Sequence, residues 1–362
     1  MSIHRLFTRC LLRPQDVPPS QDDLSVVGAF NPAAADTPDG VVLLVRIAET
    51  PREDRPGWIG LPRWDNDAGR VIIDWVTESE VTREDTRSVR FKYDNVVRLT
   101  FVSHLCVVEC GDGRAVDRVG PTRFFPHGPL EEFGVEDPRV TKIGDEFFIT
   151  YVGVSKHGPT TMLATTRDFR SFQRHGVIFC PDNKDVVFFP EKINGRYTVL
   201  HRPSISTTLT RPEMWIASSA DARAWGGHAP LHRGVQSWEI GRVGAGAPPI
   251  RTSAGWLEFY HGNDRRPGET RVGRYSGGLL LLDANEPSRV LGVSQAVFVP
   301  EVDFELNGFV ADVVFPTGII ERGDTVLVYY GAADSVSAVT EFRLGDLLDA
   351  VGIEGRLNAN AA

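Results

Sequence analysis

Cysteine, long apolar runs and surplus positive charge are all scarce in this 362-residue chain. The four cysteines, Cys10, Cys106, Cys110 and Cys180, form no CxxC pair, and no histidine stands at zinc-finger spacing from them. That pattern excludes a structural zinc site and gives no reason to expect a metal. Cys106 and Cys110 lie in an alternating apolar stretch and read as small buried hydrophobes. No segment approaches the roughly 18 apolar residues of a membrane helix, and the opening MSIHRLFTRCLLRPQD holds no apolar run of signal-peptide length. The expectation is a cytoplasmic, reduced protein with no membrane partner. With 39 Lys+Arg against 48 Asp+Glu the formal net charge is −9, which argues against a broad nucleic-acid or membrane surface. Any bound anion must be held by a local cluster of cations. Helical periodicity is scarce as well, its clearest instance being LGDLLDAVG at 344–352.

Glycine and proline are abundant instead. The 35 Gly and 24 Pro imply many tight turns, and many turns imply many short strands. Five segments share a Gly-containing turn, an alternating apolar strand and a polar strand end. They are GVVLLVRIAE from Gly40, GDEFFITYVGVS from Gly144, GRYTVLHRPS from Gly195, GWLEFYHGND from Gly255 and GDTVLVYYGAAD from Gly323. The last three spacings, 51, 60 and 68 residues, suit a four-stranded antiparallel sheet with variable loops, while the first, 104, must hold extra material. Asp-centred corners recur at ECGDGRAV (109–116), TTRDFRSF (165–172) and SSADARAW (218–225) and read as hairpin turns. Together these predict an all-β fold, a five-bladed β-propeller with a central active-site cavity. A pair of β-sandwiches would not require the same strand five times. Residues 27–342 are the expected catalytic propeller, 1–26 an N-terminal segment packed on it, and 343–362 a short helix and tail.

In a propeller the recurring strands are expected to line the channel, with their polar ends facing one cavity. Those ends carry Arg46, Tyr151, His201 with Arg202, Tyr260 with His261, and Tyr330 with Asp334. Basic, aromatic and carboxylate groups gathered from distant positions point to a ligand site rather than to channel packing. The most informative segment is Glu136-Asp137-Pro138-Arg139, just before a recurring strand. Pro138 is expected to hold Asp137 extended, so that Arg139, two residues on, leaves the same face. A second segment, 183–204, carries Lys184, Asp185, Glu191, Lys192, His201 and Arg202 around two strands.

From about residue 27 to 340 the chain resembles glycoside hydrolase family 130, the β-mannoside phosphorylases and related β-mannosidases. The motifs GVEDPRVTKI, KDVVFFPEKINGRY, LHRP, GWLEFYHG, DVVFPTG and YYGAAD, with AFNPAA earlier, carry the resemblance in the family's order. It implies a five-bladed β-propeller and inverting cleavage of a β-mannosidic bond. Family phosphorylases use inorganic phosphate as nucleophile and release α-mannose 1-phosphate. The implied partners are a mannose-containing oligosaccharide and phosphate as co-substrate, with no cofactor. An ordinary inverting glycosidase needs two carboxylates with a water between them, whereas a phosphorylase needs one, because phosphate arrives charged.

By resemblance Asp137 is the general acid, its proton passing to the glycosidic oxygen through a mannose hydroxyl. Lys184, Arg202 and His261 match the phosphate contacts, with Tyr260 adjoining them and Asn31 nearby. Arg46, Arg139, Asp334 and His201 are assigned to the sugar. Many relatives have Asn-Ser where this chain has Asn31–Pro32, which removes one hydroxyl donor. The segment RLTFVSHL at 98–105 resembles the β-1,2-mannoside phosphorylase branch. Trp215, Trp225, Trp238 and Trp256 include candidate sugar-stacking rings, with Trp225 and Trp256 better read as core. Loops 51–75 and 111–133 are candidates for the outer subsites. The alternatives are an inverting β-1,2-mannosidase using Asp185 or Glu191 as base, and a non-catalytic sugar-binding propeller. A homo-oligomer is left open.

Overall fold

The computed structural model describes residues 3–204, 210–266, 268–269 and 271–352. Almost every element is a strand. An eight-stranded sheet runs in the order Arg118–Phe124, Val102–Glu109, Gly40–Pro51, Leu24–Thr37, Val336–Arg343, Thr325–Ala332, Val314–Arg322, with Phe7–Leu12 added on Val336–Arg343. Its two antiparallel halves meet at one parallel bridge, Ala29 with Val336. A four-stranded sheet holds Val135–Ile143, Glu146–Ser155, Gly158–Thr166 and Gln173–Phe179. A second holds Asn183–Phe188, Tyr197–Pro203, Glu213–Ser219 and Gly226–Arg233. A five-stranded sheet holds Arg242–Ala245, Gly255–Asn263, Tyr275–Leu282 and Val290–Val293, with Ile250–Thr252 on Gly255–Asn263. The long first spacing is filled by a hairpin, Trp58–Asp65 with Arg70–Thr77, and a three-stranded sheet of Val81–Arg83, Ser88–Phe91 and Val97–Leu99.

The segment before residue 27 is not separate from the sheets. Phe7–Leu12 forms an edge strand, and the boundary at 26/27 falls inside Leu24–Thr37. At the other end Leu344–Ala350 is helical as its periodicity predicts, with Leu347 buried. The tail beyond residue 352 lies outside the described residues.

Each recurring strand has strand partners on both sides, so it is not the edge strand of its sheet, although Arg46, Arg202 and His261 on three of them still reach the cavity that Asp137 lines. A strand paired along both edges and covered on both faces reads as a near-continuous apolar run. Its neighbour is the one that can afford polar side chains: Leu24–Thr37, Val135–Ile143, Asn183–Phe188, Arg242–Ala245 and Val314–Arg322. Between sheets lie apolar clusters. One joins Leu105 and Val107 to Val140 and Ile149, the next Phe148 and Leu163 to Phe188 and Val199, and a third Leu200 and Met214 to Val243 and Leu280. A fourth joins Phe259 and Leu279 to Val328 and Phe342, and a fifth returns from Leu327 and Tyr329 to Leu43 and Val108. Cys106 and Cys110 are buried here, and burial pushes their thiols up to about 11 and about 12. The Asp-centred corners form as expected, with Asp168 and Asp221 each accepting two backbone N–H groups ahead of them.

A buried Tyr–Glu pair recurs in three sheets. Tyr151, Tyr260 and Tyr330 donate their hydroxyls to Glu131 at 2.8 Å, Glu239 at 2.6 Å and Glu305 at 2.6 Å. Each glutamate also accepts the backbone N–H four residues before it, from His127, Val235 and Glu301. The pair ties the loop entering a sheet to that sheet's recurring strand. Tyr260→Phe is therefore expected to cost about 1–3 kcal/mol, because Glu239 loses a partner while still buried. Thermal denaturation checks it, and an unchanged Tm would remove the pair from the stabilising interactions.

Candidate active site

The strands beside the recurring ones deliver the site through backbone irregularities. Register shifts occur between Phe30 and Ala33, Glu136 and Arg139, and Lys184 and Val187. Within them Asn31, Asp137 and Asp185 take φ of +51°, +49° and +55°. These are bulges, in which two residues oppose one, and Asn and Asp tolerate the left-handed conformation better than other side chains. The bulge overrides the extended geometry expected of Asp137 before Pro138. It also breaks the two-residue parity, so Asp137 and Arg139 do not share a role.

All three bulge residues line a cavity of about 240 Å³ with Arg46, Glu136, Lys184, Arg202, His261 and Asp334. Asp137 Oδ1 accepts from Asn31 Nδ2 at 2.7 Å and Arg46 Nη1 at 2.9 Å. Arg46 also reaches Glu136 at 2.6 Å and Ser103 at 3.1 Å, with its guanidinium 4.7 Å from the Phe30 ring centroid. Lys184 Nζ lies 3.7 Å from Glu136 Oε2. Burial raises the Asp137 carboxyl, but Arg46, Lys184, Arg139 and the Asn31 amide outweigh it, so its pKa falls below the usual range. Burial likewise opposes ionisation of Asp185, and Arg202, His261 and Arg139 overcome it, leaving that carboxyl well below the usual range.

Asp185 Oδ2 accepts from Arg202 Nε at 2.7 Å, and His261 Nε2 stands 3.4 Å away. Burial holds His261 down to about 3 despite Asp185, so the ring is neutral near pH 7. Asp334 is raised by burial, with Arg87 and Arg46 opposing and Asp137 and Glu136 adding to the rise. Among the described residues no group of three or more His, Cys, Asp or Glu side chains is arranged to hold a metal ion.

Three expected site residues lie elsewhere. Tyr260 faces away from the cavity because strand alternation gives that side to His261, and its hydroxyl is spent on Glu239. His201 alternates with Arg202 in the same way. It bonds Asn183 at 3.0 Å and His228 at 3.2 Å and stacks on Phe179. Arg139 does not line the cavity but sits buried beneath it, donating to the carbonyls of Asp137 and Gly246. Glu191 is exposed and outside the cavity, and none of Trp215, Trp225, Trp238 and Trp256 lines it. Arg87 and Arg242 do line it and were missed. Arg87 comes from the inserted three-stranded sheet, which lies outside the repeat. Arg242 was legible, since it opens the strand next to the fourth recurring one.

A family model for glycoside hydrolase 130, described as beta-1,4-mannooligosaccharide phosphorylase, matches residues 107–352. A beta-1,2-mannobiose phosphorylase from Listeria innocua is 36% identical over 98% of this chain and 100% of its own length. The chain belongs to glycoside hydrolase family 130. The solved Listeria enzyme in complex with beta-1,2-mannobiose superposes with a TM-score of 0.88 at 36% identity, covering 95% of this chain and 97% of that one. A 1,2-beta-oligomannan phosphorylase from Thermoanaerobacter is 37% identical over 68% of this chain and 81% of its own length. A structure reported among family 130 hydrolases that target beta-1,2 mannosidic linkages in Candida mannan has a TM-score of 0.67 over 92% of this chain and 93% of its own. At 21% identity it shares the fold alone.

In this family 130 cavity Asp185 joins Arg202, His261 and Arg139 at one centre. Its folded pKa is depressed, so its stabilising contribution is full above its unfolded pKa and is lost as pH falls towards the folded one. Asp185→Asn is expected to lower Tm at neutral pH and to flatten the acid limb of Tm against pH below about pH 4. Equal acid limbs in the two proteins would contradict that assignment.

Proposed function

We propose that the chain is a β-mannoside phosphorylase acting on β-1,2-linked manno-oligosaccharides, with inorganic phosphate as nucleophile and α-mannose 1-phosphate as product. The activities named for its relatives, beta-1,2-mannobiose and 1,2-beta-oligomannan phosphorylase, support phosphorolysis of β-mannosides. We read the scaffold as a five-bladed β-propeller. Two halves of the eight-stranded sheet plus three further sheets make five antiparallel units, and five apolar clusters join neighbouring units in a cycle. The four cysteines are free, which fits a reducing, cytoplasmic setting.

The observation that carries the reading is that cations outnumber carboxylates, five to four, around the cavity that presents Asp137. Arg46, Arg87, Lys184, Arg202 and Arg242 line the cavity against Glu136, Asp137, Asp185 and Asp334. Such a surplus suits a dianion. A phosphate oxygen attacks the anomeric carbon on one face, the bond to the glycosidic oxygen breaks on the other, and the β configuration becomes α. The leaving oxygen takes a proton from a mannose hydroxyl, and Asp137 gives its own proton to that hydroxyl in turn. Arg46 and Lys184 hold Asp137 low, and a phosphate dianion beside Lys184 offsets that pull, so phosphate binding itself prepares the acid. An inverting mannosidase instead needs a second carboxylate free to deprotonate water. Asp185 is paired to Arg202 and Glu191 is exposed, so neither is suited to that task.

Incubation with β-1,2-mannobiose is the test. Phosphate should be consumed one for one with the appearance of α-mannose 1-phosphate, followed by phosphorus NMR. Asp137→Asn should lower turnover by about 10²–10⁴ with sugar binding retained. Mannose released at the same rate without phosphate, and no sugar phosphate formed, would refute the proposal.

A further inference from the structure

A second cavity of about 260 Å³ adjoins the first, and Phe101 and Phe309 line both. Its remaining walls come largely from the inserted segment and include Trp58, Trp75, Glu53, Asp54 and Thr86. The two indoles differ. The Arg55 guanidinium lies 4.0 Å from the Trp75 ring centroid and is itself held by Glu53 at 2.7 Å. Trp58 is 46% exposed on its hairpin strand, a large apolar ring left open beside carboxylates and a hydroxyl. A flat apolar face with acceptors at its rim is the chemistry that holds a pyranose, whose C–H face stacks while its hydroxyls donate to carboxylates.

The position of this cavity relative to the charges fixes its part in the reaction. Lys184, Arg202 and Arg242 line the first cavity and not the second, so the phosphate side lies away from the shared wall. Arg46, which holds Asp137, lies 5.5 Å from the ring centroid of Phe101 on that wall. In an inverting displacement nucleophile and leaving group occupy opposite sides of the reacting carbon, and the acid belongs with the leaving group. The path from phosphate to acid therefore continues past Phe101 towards Trp58.

We propose that the Trp58 compartment binds the sugar of the leaving group, and in the reverse direction the acceptor, by stacking on the Trp58 indole. This rests on the phosphorylase reading. Its experiment is reverse synthesis from α-mannose 1-phosphate with β-1,2-mannobiose as acceptor, comparing wild type, Trp58→Ala and Trp58→Phe. Trp58→Ala should raise the acceptor KM by about tenfold while the KM for α-mannose 1-phosphate stays unchanged, and Trp58→Phe should restore most of the loss. Trp58 is on the surface of its hairpin, and the unchanged donor KM shows that the first cavity is intact. An acceptor KM unaffected by Trp58→Ala, or both constants shifting together, would overturn the inference and leave the phosphorylase reading standing. A wild type that makes no product from α-mannose 1-phosphate would instead refute that reading, and this inference with it.

Discussion

A charge withdrawn from water must find partners or become neutral, and few forces in a protein are as unforgiving of error. This cavity brings five cations and four carboxylates together, and the fold around it is organised by their pairing. Arg46 is shared between Glu136 and Asp137, and Arg202 is fixed on Asp185. Arg139, fully buried below, braces the carbonyl of Asp137 and stands 3.8 Å from Asp185. Removing one member leaves another buried and unmatched, so these residues act as a unit. The bulges at Asn31, Asp137 and Asp185 are the backbone cost of aiming polar side chains at one point from separate sheets.

Much of this was legible in the sequence because burial leaves a periodic trace. The recurring strands are paired on both edges, so their apolar runs identified the repeat and its spacing. The convergence of Arg46, Arg202 and His261 followed from strand ends, whereas Asp137 and Lys184 were marked by motifs resembling those of the family. What escaped reading was parity. In a flat strand, adjacent residues point to opposite faces, and the residue type alone does not say which one meets the cavity. Tyr260 and His201 were assigned inward because each neighbours a true lining residue, His261 and Arg202. Asp137 and Arg139 were given one face because a bulge leaves no mark in a four-residue motif. Arg87 was invisible for another reason: it reaches the cavity from a sheet inserted between repeats, a long-range contact that no local pattern encodes.

The inserted hairpin and three-stranded sheet also explain how a site at the meeting of several sheets gains a defined boundary. Arg87, Ser88, Val97 and Leu99 supply part of the cavity wall, and Arg87 lies 3.8 Å from Asp334 across it. The same insertion carries Trp58 and Trp75 into the adjoining compartment. Repeated sheets thus supply most of the charges, and the non-repeated segment adds Arg87 and the walls of the adjoining compartment.

The cation surplus is the property on which the proposed phosphorolysis turns, and it is measurable without any sugar. Inorganic phosphate is titrated into the protein at constant ionic strength and Tm is followed, with chloride as the control and Lys184→Gln alongside. A ligand that binds only the folded state raises Tm in proportion to the logarithm of its concentration once above its Kd. Phosphate is expected to give that rise, chloride to give none, and Lys184→Gln to weaken the response. A Tm indifferent to phosphate, or raised equally by chloride, would contradict the charge balance described for the cavity.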